Sequence, residues 1–326
     1  MGLKTVLTVH VPNIICMRST MLAHGRLPCD GRIEERRCGA CWAHGRGLPL
    51  AAARLVARLP LAWSRRARTG WRTRLTTALS ARALGAERLD QMAEMIGNAD
   101  RVVAVCRWLY DALAANGVPR TKLVLSRQGL PAAFLGAAAA ADPAPPSTDA
   151  PLRLIYVGRW DWLKGIDIAV RAVRALPRTT AVTLTVHASP GAAEDAAYQC
   201  AVRRMAAGDP RIVFAEPLAR SELVPALTRH DALVVPSRCL ETGPLVIMEA
   251  QAVGLHVLGA NLGGIAELVG GGKGGELVAA QDVSAWSAAI AQLAGRHSPS
   301  SMPRSPGRVR SMAAVAAEMA HLYRSL

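Results

Sequence analysis

The chain has 326 residues, 51% of them hydrophobic, 19% charged and 4% aromatic, with a formal net charge of +15. That length and apolar fraction exclude a wholly disordered chain and suggest two domains, each able to bury its own core. No run reaches the roughly 18 apolar residues of a membrane span, and seven cysteines are too few for a disulfide-dense secreted scaffold.

The charge is uneven. Residues 1–88 hold 16 Lys and Arg against 4 Asp and Glu, so most of the excess is N-terminal. Only Lys4, Lys122, Lys164 and Lys273 among the 39 basic residues are lysine, and alanine is abundant, the composition a GC-rich genome produces. Residues 1–17 are interrupted by His10, Pro12 and Asn13, and no small-residue cleavage site follows, so a cytoplasmic protein is expected.

In chain order, residues 5–9, 102–106 and 122–125 predict strands and residues 50–96 predict mostly helix. Three strands make a short first domain, expected over 1–135. Residues 136–151, with Pro143, Pro145 and Pro146, read as a linker. From 152 to 296 the pattern becomes regular. Strands over 152–157, 182–186, 211–214, 232–235, 256–258 and 276–278 alternate with helices over 168–176, 194–205, 221–228, 246–253 and beyond 283. Apolar strands spaced by helices predict a doubly wound parallel sheet covered on both faces. A polar break opens the last segment, 297–326, and a helix over 311–326 closes it.

Two segments of the second domain carry chemistry. Val157-Gly158-Arg159-Trp160-Asp161-Trp162-Leu163-Lys164-Gly165 follows a strand and opens a helix, placing two cations beside free helix amides. That combination suits a diphosphate; a solvated loop with two incidental charges is the plainer reading. In Pro236-Ser237-Arg238-Cys239-Leu240-Glu241-Thr242-Gly243-Pro244-Leu245, a strand again ends in a loop, and Glu249 follows inside the next helix. Gly243 permits close backbone approach. Carboxylates at Glu241 and Glu249 can accept hydrogen bonds from sugar or ribose hydroxyls, although a helix-dipole Glu and an exposed mid-helix Glu would leave the same trace.

Together these segments resemble the retaining family-4 glycosyltransferases over about residues 152–294. The resemblance runs through Gly158-Arg159 with Lys164-Gly165, Asp231 to Ser237, Glu241 and Glu249 separated by seven residues, Ala252-Val253-Gly254 and Gly263-Gly264-Ile265-Ala266-Glu267. It implies a GT-B fold, two Rossmann-like domains facing a cleft, with the N-terminal one incomplete because only nine residues precede His10. It also implies roles. Arg159 and Lys164 would hold the donor diphosphate, Glu241 the transferred sugar and Glu249 the ribose. Gly158, Thr242, Gly243, Pro244 and Leu245 would line the donor site, the nucleotide base would lie near Glu216 to Leu218, and His10, ending the strand Val6-Leu7-Thr8-Val9, would reach the donor sugar. No cofactor or metal is implied.

The remaining features lie in the first domain. Cys16, Cys29, Cys38 and Cys41 could supply four thiolates to zinc, although spacings of 13 and 9 residues do not match two CxxC knuckles; reduced thiols and redox pairing are the other readings. Between Arg54 and Arg82, arginines alternate with Leu55, Trp63, Trp71 and Leu75, as an interfacial helix on anionic lipid requires or as a solvated face would show. The expected protein is a retaining glycosyltransferase of the EC 2.4 class, peripheral on the inner face of the cell membrane. It would take a nucleotide sugar and a glycan or lipid-linked acceptor in polysaccharide, lipopolysaccharide or glycolipid synthesis. The alternative is a catalytically impaired nucleotide-sugar-binding scaffold. Nucleic acid is not an expected partner, for no base-reading motif is present.

Overall fold

A computed structural model of the chain describes residues 3–69, 73–142, 150–270, 274–296, 307 and 309–326. The chain divides into two compact units, residues 1–127 with 320–326, and residues 128–319.

The first unit is built on a three-stranded parallel sheet. Its order is β1 (Val6–Val9), β4 (Arg101–Ala104), β5 (Leu123–Leu125). All three strands fall where the apolar runs predict them. Between β1 and β4 come a two-residue hairpin, β2 (Leu22–Ala23) with β3 (Leu27–Pro28), and helices α1 (Glu35–Gly45), α2 (Leu50–Val56), α3 (Leu61–Thr69), α4 (Arg74–Leu79) and α5 (Ala81–Asn98). Thr73 caps α4 through a reciprocal bond with Thr76. Small residues let α1 and α5 pack closely: a Cβ on Gly39 would stand 2.6 Å from the Ala81 carbonyl oxygen, and one on Gly85 2.5 Å from that of Glu35. Helix α6 (Arg107–Ala115) joins β4 to β5.

The second unit opens with α7 (Ala132–Ala140), whose Phe134 and Ala138 are buried in the core. The expected linker is thus shorter at its start, because alanine supplies helix propensity and Phe134 an anchor for the segment. Residues 143–149, which hold the three expected linker prolines, lie outside the described residues, as do Trp71, Arg72, Lys273 and the polar break at 297–306.

Six parallel strands follow: β6 (Leu152–Arg159), β7 (Val182–Ser189), β8 (Ile212–Ala215), β9 (Ala232–Val235), β10 (His256–Ala260) and β11 (Gly275–Val278). Their order across the sheet, β8-β7-β6-β9-β10-β11, is the doubly wound arrangement, and it reverses direction between β6 and β9. The connecting helices are α8 (Ile166–Ala175), α9 (Ala196–Ala206), α10 (Leu223–Thr228), α11 (Leu245–Ala252) and α12 (Gly263–Val269), with α13 (Val283–Gly295) after β11. Every residue of β9 is buried, and α8 buries Ile166, Ile168, Val170 and Val173. The last helix, α14 (Met312–Arg324), is preceded by a parallel bridge between Leu130 and Ser311 that ties it to the start of α7.

The reversal point is pinned by charge. Asp231, 2% exposed, accepts bonds from the Arg153 backbone amide (2.8 Å), Nε (2.9 Å) and Nη2 (2.7 Å), while its own amide donates to the Arg153 carbonyl. Those bonds align the first residues of β6 and β9. Asp231→Ala is expected to lower the unfolding free energy by about 2 kcal/mol, because it strips three bonds from one buried carboxylate. Urea denaturation reads the loss; a change within about 0.5 kcal/mol, ordinary for a surface substitution, would show that the strands align without it.

Candidate active site

In an open α/β sheet, ligands bind beyond the carboxyl ends of the strands, where the order reverses. Here that point lies between β6 and β9, and the loops leaving those strands are the two segments the sequence singles out. The loop after β6 is short and rigid. Asp161 Oδ1 accepts the Leu163 amide at 2.8 Å, capping a single 3-10 turn over Trp162–Lys164 that ends at Gly165 in the left-handed region, φ +72°. A Cβ on Gly165 would stand 2.0 Å from the Pro236 carbonyl oxygen. The two loops therefore touch backbone to backbone, and only glycine permits it.

This contact brings Lys164 to Glu241. Lys164 Nζ lies 2.6 Å from Glu241 Oε1, and Ser237 Oγ donates to the same oxygen at 2.9 Å. Both side chains are largely buried, with 26% of Lys164 and 14% of Glu241 exposed. Arg159, at the end of β6, is more open and faces Asp161 at 3.5 Å. Gly264, the second residue of α12, supports the Glu241 loop from below. Its amide donates to the Glu241 carbonyl at 2.7 Å, and a Cβ there would meet the Gly243 amide nitrogen at 2.7 Å. The glycine pair Gly263-Gly264 thus serves close packing beneath the site.

Gly243, φ +134°, adopts a conformation open to glycine and leads through Thr242 and Pro244 into α11, whose first residue is Leu245. Pro244 caps α11 without a side-chain bond, which leaves first-turn amides for an anion. Gly158 is held by a different constraint: a Cβ would stand 2.5 Å from the Tyr156 hydroxyl.

Glu249 lies one turn further along α11, buried at 9% exposure. Burial pushes its carboxyl above the usual value, opposed by the positive charge of Arg220. In the site loop, beside Glu241, the Cys239 thiol is pushed up to about 12 by burial and by the Glu241 charge, so it stays protonated.

Sequence reasoning missed four contributors. Ser237 was visible only as part of a motif, yet it is 1% exposed and bonds Glu241. Gln128 carries no motif. Its buried Oε1 has no hydrogen-bond partner among the described residues and lies 3.3 Å from where a Gly243 Cβ would sit, so an acceptor faces the site loop. Asp167 at the start of α8 and Arg238 in the loop after β9, both buried, form a bidentate pair. The signal for Asp167 was a charged residue on the apolar face of a helix.

His10 belongs to the first unit, exposed directly after β1 at the carboxyl end of that strand. The four cysteines also belong there. Cys16, Cys29, Cys38 and Cys41 line one cavity of about 220 Å³ together with His24 and Asp30. Among the described residues, however, no group of three or more His, Cys, Asp or Glu side chains stands where it could hold a metal ion. Burial raises the Cys29 and Cys38 thiols, and the Cys41 sulfur accepts the His24 amide at 3.2 Å. The cysteines surround a space rather than converge on a point. Among the described residues no helix is long and apolar enough to cross a membrane.

Comparison with known proteins agrees with this geometry. The family described as Glycosyl transferases group 1 matches residues 151–296. A glycogen synthase of Mycobacterium tuberculosis is 35% identical over 140 residues, which are 43% of this chain and 33% of that protein. A D-inositol 3-phosphate glycosyltransferase of Mycobacterium ulcerans is 36% identical over 135 residues, 41% of this chain and 29% of the relative. The chain thus covers about a third of the length of these curated relatives. The structure of Anabaena HepE in complex with UDP and glucose aligns over 89% of this chain and 76% of its own, with a TM-score of 0.61 and 15% identity. That likeness speaks to the fold alone, and the fold is GT-B, with a first sheet of only three strands.

The burial of Glu249 has a measurable consequence. Because its carboxyl is raised from 4.5 in the folded chain, the folded state holds that proton more tightly than the unfolded one. Stability therefore falls as pH rises from the unfolded value through the folded one, and stays reduced above it. Glu249→Gln removes this dependence. The variant is expected to gain stability relative to the parent as pH rises from about 4 to 7, followed by thermal unfolding in a pH series. A difference that does not change with pH would mean that the carboxylate is not strained by burial.

Proposed function

We propose that the chain transfers a glycosyl unit from a nucleoside-diphosphate sugar to an acceptor hydroxyl with retention at the anomeric carbon. The observation that carries this reading is the meeting of Lys164 and Glu241 at the reversal point between β6 and β9, on a segment of glycosyl transferases group 1 sequence. Departure of the nucleotide leaves negative charge on the β-phosphate. Arg159 and Lys164 supply fixed positive charge at that place, a contribution on the order of several kcal/mol in a partly dry site. This is work a divalent cation does elsewhere, so no metal or cofactor is assigned. The free amides at the start of α11 add to it.

Glu241 has the opposite task. Its carboxylate, held by Lys164 and Ser237, accepts hydroxyl protons of the transferred sugar, and Glu249 accepts those of the ribose. Diphosphate arrival draws Lys164 toward phosphate and frees Glu241 oxygen for sugar. Gly158, Thr242, Gly243, Pro244 and Leu245 shape the backbone around the donor, and His10 is assigned to the donor sugar from the first unit. Acceptors in polysaccharide, lipopolysaccharide or glycolipid synthesis fit a protein that docks on membranes. Support for docking comes from α2 and α3: Leu55 and Trp63 are 64% and 69% exposed, beside exposed Arg54, Arg58 and Arg66. A second reading, a donor-binding scaffold without transfer, is favoured by the small first sheet.

Titration calorimetry with UDP, ADP and GDP, together with release of glucose from the matching donors, tests the site. Lys164→Ala is expected to weaken nucleoside-diphosphate binding about tenfold or more. Glu241→Gln should leave it equal or tighter, since the carboxylate competing for Nζ is gone, while turnover falls about a hundredfold. An unmutated chain that binds none of the three would overturn the reading; binding with equally inert parent and variants would select the scaffold.

The membrane assignment has its own test. Cosedimentation with phosphatidylglycerol vesicles at low salt is expected, with release near 0.5 M salt, where screening acts within about 4–5 Å. Trp63→Ala, at an exposed position, should weaken it. Equal sedimentation with neutral phosphatidylcholine vesicles, or none with either, removes the assignment.

A further inference from the structure

Asp167 is 4% exposed and Arg238 6% exposed, and neither reaches the solvent side of the site. Arg238 Nη1 donates to Asp167 Oδ1 at 2.8 Å and Nη2 to Oδ2 at 2.6 Å, a bidentate pair. The same guanidinium donates from Nη1 to the Trp162 carbonyl at 2.7 Å and stacks on the Trp162 ring, 4.6 Å from its centre. The Arg238 backbone amide donates to the Leu163 carbonyl at 2.8 Å. On the far side, the Tyr198 hydroxyl donates to Asp167 Oδ1 at 2.6 Å and accepts the Asp167 amide. Burial alone would raise the Asp167 carboxyl, but the Arg238 and Tyr198 bonds outweigh it and hold it below the usual carboxylate value.

These contacts share one object. Trp162 and Leu163 are the first two residues of the single turn that ends at Lys164. Arg238 belongs to the other loop, beside Ser237, which bonds Glu241. Its side chain grips the Lys164 turn at a carbonyl and a ring, and its backbone grips the next carbonyl. A buried guanidinium with this many partners is not available to a ligand. It is placed to fix where one loop stands against the other.

We propose that Arg238, anchored by Asp167 and Tyr198, is a positioning residue that locks the Lys164 turn to the Glu241 loop, so that the two charged groups form one preassembled nucleoside-diphosphate site. The proposal rests on the donor reading of Lys164 for its ligand, but its mechanical part does not. A misplacement near 1 Å at a reacting group costs up to about a hundredfold, and the lysine ammonium tolerates little more when it must serve two partners.

The second unit contains its own control. Arg211 and Asp209 are also buried and paired at 2.9 and 3.0 Å, and Arg211 also donates to the Val173 and Pro177 carbonyls, but they touch neither site loop. Arg238→Met and Arg211→Met each break a buried pair, so a general loss of stability affects both. The experiment compares them by hydrogen–deuterium exchange over residues 160–166 and by UDP, ADP and GDP binding.

Arg238→Met is expected to accelerate exchange in residues 160–166 and to weaken the best-bound nucleoside diphosphate about tenfold or more. Arg238→Lys, which keeps the charge but not the fork, should fall between it and the parent. Arg211→Met should change neither, despite a comparable drop in melting temperature. Where Arg238→Met does not fold, Arg238→Lys and Tyr198→Phe are expected to show the same local acceleration to a smaller degree. If the parent binds no nucleoside diphosphate while exchange at 160–166 still depends on Arg238, the donor reading falls and the positioning role stands. If the Arg238 variants leave that exchange unchanged, or Arg211→Met alters binding and exchange as much, the proposal is overturned.

Discussion

A parallel sheet with helices on both faces has nowhere to place polar chemistry except beyond the ends of its strands, and this constraint organises the second unit. Each residue of β9 is buried, and β6 buries Leu152, Leu154, Ile155 and Tyr156. Backbone bonding saturates the interior, and side-chain chemistry begins where the strands stop. At the reversal between β6 and β9 the following helices depart to opposite faces, so the two loops diverge and leave a space framed by helix N-termini. The chain then closes that space as far as sterics permit. Gly165 lets one loop rest on the carbonyl of Pro236, and Gly264 lets α12 rest under the other. Side chains at either position would push the loops apart and separate Lys164 from Glu241.

Electrostatics inside the unit follows a second rule: buried charge is matched. Asp231 meets Arg153, Asp209 meets Arg211, Asp167 meets Arg238, and Glu241 meets Lys164. Such pairs are poor sources of net stability, because desolvation offsets much of the attraction, but removal of one partner is costly. They therefore fix geometry more than they add stability. The first three pairs serve structure and are closed to ligands. Lys164 with Glu241 differs because both retain some solvent exposure and each has a natural partner in a sugar diphosphate. Glu249 differs further, being a buried carboxyl shifted upward by burial. Strain of this kind is tolerated at sites that receive a ligand, and ribose hydroxyls would relieve it.

The fold of the second unit was legible because period and punctuation agreed. Strands over 152–157, 182–186 and 232–235 and the glycine-bearing loops appear where β-branched runs and turn residues predict them, and the charged residues of both loops fall at strand ends. What could not be read is what depends on long-range pairing. Nothing in the spacing of Asp167 and Arg238, 71 residues apart, joins them; only the reversed strand order does. Gln128 lacks any pattern, since a lone amide gains meaning from the loop it faces. The extent of α7 was hidden for the opposite reason, because an alanine run beside prolines looks like linker until Phe134 finds a core. In the first unit, the clustering of Cys16, Cys29, Cys38 and Cys41 along the sequence was legible, whereas their arrangement around a cavity without converging on a point was not.

The N-terminal charge also reads differently once its partners are known. Arg65 and Arg68 on α3 face Asp90 and Glu87 on α5, and Arg82 donates to Glu35 and to the Leu59 carbonyl. These arginines spend part of their charge on joining helices. Arg54, Arg58 and Arg66 make no ion pair among the described residues, and they flank the exposed Leu55 and Trp63. Trp63 is 69% exposed, and its apolar area costs free energy in water. An anionic interface accepts both groups at once, taking the indole into the headgroup region and the guanidinium groups against phosphate. The electrostatic attraction per residue is modest, about 1 kcal/mol. Three arginines without an ion pair among the described residues, beside two large exposed apolar side chains, are the features on which the proposed docking rests.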